Sequence, residues 1–178
     1  MNIITTTYNS KFFYIRPDIS LNRDSNDYFC PEGIKELTVA PFLYIRMDKA
    51  GKAVQAKFAQ RYYSSIGYGL NITAKSLIDK NFPESFLMAN SLDNSTIVSP
   101  LYNIEEFPIK TLKATSLTAN CQDGTIENII DLFNRKIEQI SPLTSFKTGD
   151  YIAVEIAEHV NIGIGNMVQL GELSIKIR

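Results

Sequence analysis

One histidine, two cysteines and no run of basic residues leave this chain without several common kinds of chemistry. Cys30 and Cys121 stand far apart with no CxxC spacing, so they are expected to be buried thiols rather than a disulfide or a metal site. A reducing cytoplasm is the expected setting. With 18 basic against 19 acidic residues, no stripe of lysine and arginine is available to neutralise phosphates, and no nucleic-acid partner is expected. No apolar stretch approaches the ~20 residues of a membrane span, so no membrane partner is expected either. The opening residues 1–7 are polar, where a signal peptide carries a charged and then an apolar segment.

What is present suits one domain over residues 1–178. A chain of this size buries roughly 70% of its unfolded surface. A hydrophobic content of 44% with 21% charged residues is ordinary for a globular protein. Residues 11–18 form an apolar run ended by Pro17, a strand leading into a loop. Residues 42–47 are dense in aromatic and β-branched side chains and close on the Asp48-Lys49-Ala50-Gly51-Lys52 turn. Val54, Phe58 and Tyr62 then fall four apart, one face of a short helix. The clearest helix spans 125–139, with Ile126, Ile129, Ile130, Phe133, Ile137 and Ile140 as its stripe and Asp123 or Thr125 as its cap. Pro142 ends it. Residues 151–156 are a further apolar run, and Leu173, Ile175 and Ile177 alternate with polar neighbours as a half-buried strand. Strands dominate, so the class is β-rich α+β.

Few side chains form a chemical constellation by spacing alone. His159 lies beside Glu158, but neighbours on a strand point to opposite faces, and no nucleophile motif accompanies them; a solvated or loop histidine is expected. Cys121 matches no nucleophile signature. Glu105-Glu106 reads as a solvated turn, and Glu155/Glu158 is the other close acidic pair. Gly163-Ile164-Gly165-Asn166 lacks the third glycine and following helix of a dinucleotide fingerprint and reads as a hairpin turn. Arg61-Tyr62-Tyr63 is expected in core or subunit packing.

The segment Tyr68-Gly69-Leu70-Asn71-Ile72-Thr73-Ala74-Lys75-Ser76-Leu77 resembles an active-site motif of the fumarylacetoacetate hydrolase family, roughly Gly-x-Asp-x-Thr-Ala-Arg-Asp-x-Gln. Three further segments extend the resemblance from about Phe12 onward. Residues 13–18 are similar to the family's strand ending in Lys-Pro. Residues 46–54, with 58–63, are similar to its strand, Gly-Lys turn and helix, especially in short hydratase or isomerase members. Residues 143–152 are similar to its x-Thr-Leu-x-x-Gly-Asp-x-Ile approach. The resemblance implies the family's C-terminal-domain fold, a barrel-like mixed β-sheet with a few short helices.

Departures from the pattern fall on the chemistry. The aspartate that the family uses as a metal ligand is matched by Asn71. Its Glu-x-Glu pair, counted back from Gly51-Lys52, falls on Ala40 and Phe42, although Glu36 lies only four positions upstream of Ala40. Lys75 stands at the motif's arginine. The lysine that polarises the substrate falls at Asn90, and the Thr-Gly-Thr-Pro loop falls on residues 154–157. There Glu155 is expected to repel anionic keto acids. The N-terminus is read as shortened, without the family's first strand and its lid histidine-glutamate pair, leaving a sheet edge to be covered.

The family's magnesium, manganese or calcium is therefore not expected, since hard cations select carboxylate oxygens. The resemblance implies a dimer. Two functions follow: a degenerate member acting as a binding or structural subunit, as a homodimer or beside a related subunit, with a small-molecule ligand still conceivable; or a divergent hydrolase, isomerase or decarboxylase acting on small dicarbonyl or keto acids. The second requires Glu155, His159, Lys75 or Arg46 to converge around the old pocket.

Overall fold

The computed structural model describes residues 1–24, 26–109 and 125–178; Cys121 and the candidate cap Asp123 lie outside them. Strands outweigh helices in the described chain: β1 (Asn2–Thr7), β2 (Phe13–Pro17), β3 (Leu21–Asn22), β4 (Leu37–Arg46), β5 (Ser65–Thr73), β6 (Thr96–Val98), β7 (Tyr102–Asn103), β8 (Tyr151–Glu155), β9 (Val160–Ile162), β10 (Met167–Leu170) and β11 (Leu173–Lys176). The first nine form one mixed sheet in the order β2-β1-β8-β4-β5-β6-β3, with β7 on β5 and β9 on β4. β10 and β11 make a separate hairpin. The sheet curls into a half-barrel. Its outermost strands, β2 and β3, are joined directly by the turn Asp18–Ser20, which brings the two ends of the order together.

Among the described residues three α-helices pack on it, two of them short: α1 (Ala56–Ala59), α2 (Ser85–Ala89) and α3 (Ile126–Ile140). Helix α3 follows the expected stripe, burying Ile129, Phe133, Ile137 and Ile140, and Thr125 caps it by accepting from the Asn128 amide at 3.3 Å. Those side chains meet Leu43, Ile45, Leu70, Ile72, Ile152 and Val154 from one face of the sheet, together with Leu170 and Ile175 of the hairpin. Each large apolar side chain so buried contributes about 1.5–3 kcal/mol. Leu173, Ile175 and Ile177 are buried as the alternation predicts.

Four expectations are corrected. Asn2–Thr7 is β1, seated between β2 and β8, so this strand is not the sheet edge that was expected to need cover. The helix at Val54 to Tyr62 shrinks to α1, and Phe58 turns outward, with Lys57 and Arg61 over its ring at 4.9 and 4.8 Å, while Ala59 goes inward. The Gly163–Asn166 turn, with Gly165 at φ +91°, joins β9 to β10, which pair with different strands; it is a turn but no hairpin. Cys30 is half-buried rather than buried.

Candidate functional site

Alternation along β4 puts Val39, Leu43 and Ile45 into the main core and turns Ala40, Phe42 and Tyr44 to the other face, the lumen of the half-barrel. Register then decides what meets there. Ala40 pairs with Asn71, Phe42 with Gly69 and Glu155, and Tyr44 with Gly67 and Ala153. At one end Ile3, Phe42, Tyr44, Val98, Tyr151 and Ala153 form an apolar cluster. Glycine makes this end possible. A Cβ on Gly69 would stand 2.2 Å from the Ile97 carbonyl oxygen and 2.5 Å from the Phe42 ring, and one on Gly67 would stand 2.3 Å from the Tyr44 ring.

The other end is polar and centred on Glu155, 2% exposed. Its Oε1 accepts from Asn71 Nδ2 at 2.9 Å and from the Tyr14 hydroxyl at 3.2 Å. Its Oε2 lies 3.2 Å from His159 Nε2, whose Nδ1 is 3.2 Å from Thr38 Oγ1. Burial pushes the Glu155 carboxyl up, but the hydrogen bond and charge of His159, the Asn71 amide and the Arg16 guanidinium outweigh it and hold the group below the usual carboxylate range. Burial first, and Glu155 second, push the Tyr14 phenol up, so it stays a donor. The Ala40 methyl leaves room over β4 for the Asn71 amide of β5 to reach the Glu155 carboxylate of β8.

Arg16 crosses the lumen from β2 and is fully buried. Its Nη1 donates to Asn90 Oδ1 at 3.1 Å, and its Nη2 to the Ile72 carbonyl at 2.6 Å and Ser95 Oγ at 2.9 Å. Asn90 also takes the Thr73 hydroxyl at 2.8 Å. Among the described residues Arg16 makes no ion pair with a carboxylate. Three buried polar atoms here have no partner: Arg16 Nε, Thr5 Oγ1 and Asn71 Oδ1.

Of the positions singled out in the sequence, Ala40, Phe42, Asn71, Asn90 and Glu155 line this lumen. Lys75 does not: its half-exposed side chain pairs with Glu36 at 3.7 Å and Asn161 at 3.3 Å outside it, which also holds Glu36 away. Arg46 is exposed at the far end of β4, beside Tyr151 in the register. His159 stands in the loop before β9 with 35% of its side chain exposed, as a loop histidine, and its partner is Glu155, four residues back, rather than Glu158. Sequence reasoning missed Tyr14, Arg16 and Thr38. The available signal was a lone arginine inside the apolar run before Pro17.

No protein-family model matches this sequence, and no curated protein does. Solved structures do match. A fumarylacetoacetate hydrolase family protein from Yersinia pestis CO92 superposes with a TM-score of 0.77 at 15% identity, covering 99% of this chain and 92% of that one. The fold is that of the fumarylacetoacetate hydrolase family. Fumarylpyruvate hydrolase from Pseudomonas aeruginosa, solved with Mn2+ and pyruvate, matches with a TM-score of 0.73 at 16% identity over 93% of this chain and 78% of its own. The 5-carboxymethyl-2-hydroxymuconate delta-isomerase from Mycobacterium smegmatis matches with a TM-score of 0.73 at 13% identity over 99% and 76%.

The residues of this chain do not suit the metal that the fumarylacetoacetate hydrolase fold implies. The matched positions offer a methyl group, a phenyl ring packed in the apolar cluster, and an amide whose nitrogen is given to Glu155. Divalent hard cations are held by several oxygens with carboxylates among them. Among the described residues no group of three or more His, Cys, Asp or Glu side chains is placed to hold an ion, and no helix is long and apolar enough to cross a membrane.

Proposed function

We propose that this chain is a metal-independent binding or structural subunit built on the fumarylacetoacetate hydrolase fold. The observation that carries the reading is the 2.9 Å hydrogen bond from Asn71 to Glu155, over Ala40. The site's carboxylate is bound internally, and its neighbours are an amide and a methyl. The reading includes a cytoplasmic setting and an assembly, either a homodimer or a pairing with a related subunit. Exposed Phe12, Phe86 and Leu87 beside the outer strand β2 support the assembly. Sedimentation equilibrium checks the homodimer, and a monomer at every concentration removes it.

Thermal unfolding with Mg2+, Mn2+ or Ca2+ against a chelator control tests the central point. A site held at 100 times its Kd adds about 2.7 kcal/mol. The expected result is no shift in the midpoint. A clear shift overturns the reading.

One observation favours a second function. His159 pairs with the buried Glu155 at the lumen mouth, and a carboxylate-oriented imidazole is suited to proton transfer. The corresponding enzyme is a hydrolase, isomerase or decarboxylase of small dicarbonyl or keto acids. Turnover that persists in chelator and is abolished by His159→Ala would establish it, and its absence removes it.

A further inference from the structure

Positive charge gathers beyond the far end of β4. Arg46, Lys49, Lys52, Lys57 and Arg61 are all exposed there, and Lys147 joins them from the chain before β8. They form no run in the sequence; the fold brings them together. The Asp48 amide donates to the Tyr62 carbonyl at 2.7 Å, the Gly51 and Phe146 backbones exchange hydrogen bonds at 3.0 and 3.1 Å, and the Gly149 amide donates to the Met47 carbonyl at 2.8 Å. Segments 46–61 and 147–150 carry six of the 18 basic residues but only two of the 19 acidic ones, so the rest of the chain is net negative. The carboxylates of this region do not answer the charge. Asp48 Oδ2 accepts from the Ser64 hydroxyl at 2.7 Å, Glu138 Oε1 from the Ala56 amide at 3.0 Å, and the two Asp150 oxygens from the Asn2 and Lys147 amides at 2.8 Å. Among the described residues none of the six cations forms an ion pair. Lys57 and Arg61 instead share the Phe58 ring, 4.9 and 4.8 Å from its centre. Like charges four residues apart repel, and an anion between them relieves this.

We infer that this face docks an acidic segment of a partner protein, with apolar side chains set between its carboxylates. Phe58 is 39% exposed within the patch, and Leu143 is 74% exposed at its border. Leu143 is held there because the Ser141 carbonyl takes the Ala53 amide at 3.0 Å on one side of it and Phe146 pairs with Gly51 on the other. Phosphates have no use for these apolar groups, and cations already lie over the Phe58 ring on which a base would stack. Two apolar side chains bury too little to anchor the chain in a lipid surface. An acidic protein segment engages both features, its carboxylates on the cations and its apolar side chains on Phe58 and Leu143. The inference rests on the binding-subunit reading and names a class of partner for it, but the face lies outside the lumen and its test uses no metal.

The test is titration of the whole chain, in chelator, into a fluorescein-labelled peptide of repeated Glu-Glu-Leu, followed by anisotropy. Saturable binding is expected, weakened about ten-fold between low and physiological salt. Lys57→Glu with Arg61→Glu is expected to weaken it about ten-fold or more. Lys35→Glu with Lys80→Glu makes the same change of net charge on exposed sites elsewhere and should stay within about two-fold of the wild type. Phe58→Ala and Leu143→Ser should each cost about three-fold or more and leave the salt dependence as it was. All these side chains are exposed, so the variants are expected to melt with the wild type. No binding, or an equal loss in both charge-reversed pairs, overturns the proposal. Tighter binding of a single-stranded oligonucleotide or of phosphatidylserine vesicles than of the peptide also overturns it and assigns the face to nucleic acid or lipid. Metal binding with peptide binding intact would remove the metal-independent reading alone; failed peptide binding without metal binding would remove only this one.

Discussion

At the Tyr44 end of the lumen, aromatic rings pack against Gly67 and Gly69, and the Tyr44 hydroxyl donates to the Ser99 carbonyl at 2.7 Å. At the Glu155 end, one or two residues along the same strands, the side chains are held by hydrogen bonds from distant elements, and Arg16 Nε and Asn71 Oδ1 stay unpaired. The two ends share a sheet, a register and a degree of burial. They differ in how much rearrangement each tolerates. Close packing resists any change of volume, whereas a polar network tolerates a change of volume if every donor keeps an acceptor. Stability is therefore expected to reside at the first end and recognition at the second.

The largest effect expected from breaking this contrast is at the packed end. Phe42→Ala should cost about 3–5 kcal/mol in urea unfolding, with no change in the pH dependence of stability. A loss below 1 kcal/mol would mean that the ring is not structural.

Asn71→Asp comes next. It removes a donor to Glu155 and sets a second negative charge against it, for a loss of about 2 kcal/mol at neutral pH. The loss should shrink in acid, where the two carboxylates can share a proton. Full recovery of stability with Mg2+ in this variant would show that a single substitution restores a cation site.

The smallest effect is a change of slope. Glu155 has a folded pKa below its ordinary 4.5. Its ionised form is favoured in the fold, so that stabilisation is complete above 4.5 and is lost as the pH falls through the lower folded value. Glu155→Gln should flatten this acid limb in melts taken from neutral to low pH. An unchanged limb would place the acid sensitivity elsewhere.

The sequence carried the fold further than it carried the site. Order and spacing of the motifs at residues 13–18, 46–63, 68–77 and 143–152 pointed to the half-barrel, and the isoleucine stripe of α3 with its Thr125 cap is local information. The lumen network is not local. The Tyr14 and Arg16 bonds span 141 and 74 residues, and a lone arginine in a short strand looks the same in sequence whether it meets water or crosses a barrel. Glu155 was singled out as a charge hostile to anionic ligands. The structure presents it as a charge already received. Lys75 failed for the opposite reason: it lies two residues past the end of β5, but the turn Lys75–Leu77 carries it out of the lumen to Glu36.

The seating of β1 also sets a timetable for synthesis. The strand pairs with β2, nearby in sequence, and in parallel with β8, and the Asn2 amide donates to Asp150 across 148 residues. Between β1 and β4 lies β8, so the β1–β2 hairpin has no place beside β4 in the sheet until β8 has emerged. At ordinary translation rates this delay is on the order of 10 s. Through that interval the exposed rings of the hairpin and the unpaired flank of β4 are the parts of the nascent chain most open to a chaperone or to another copy.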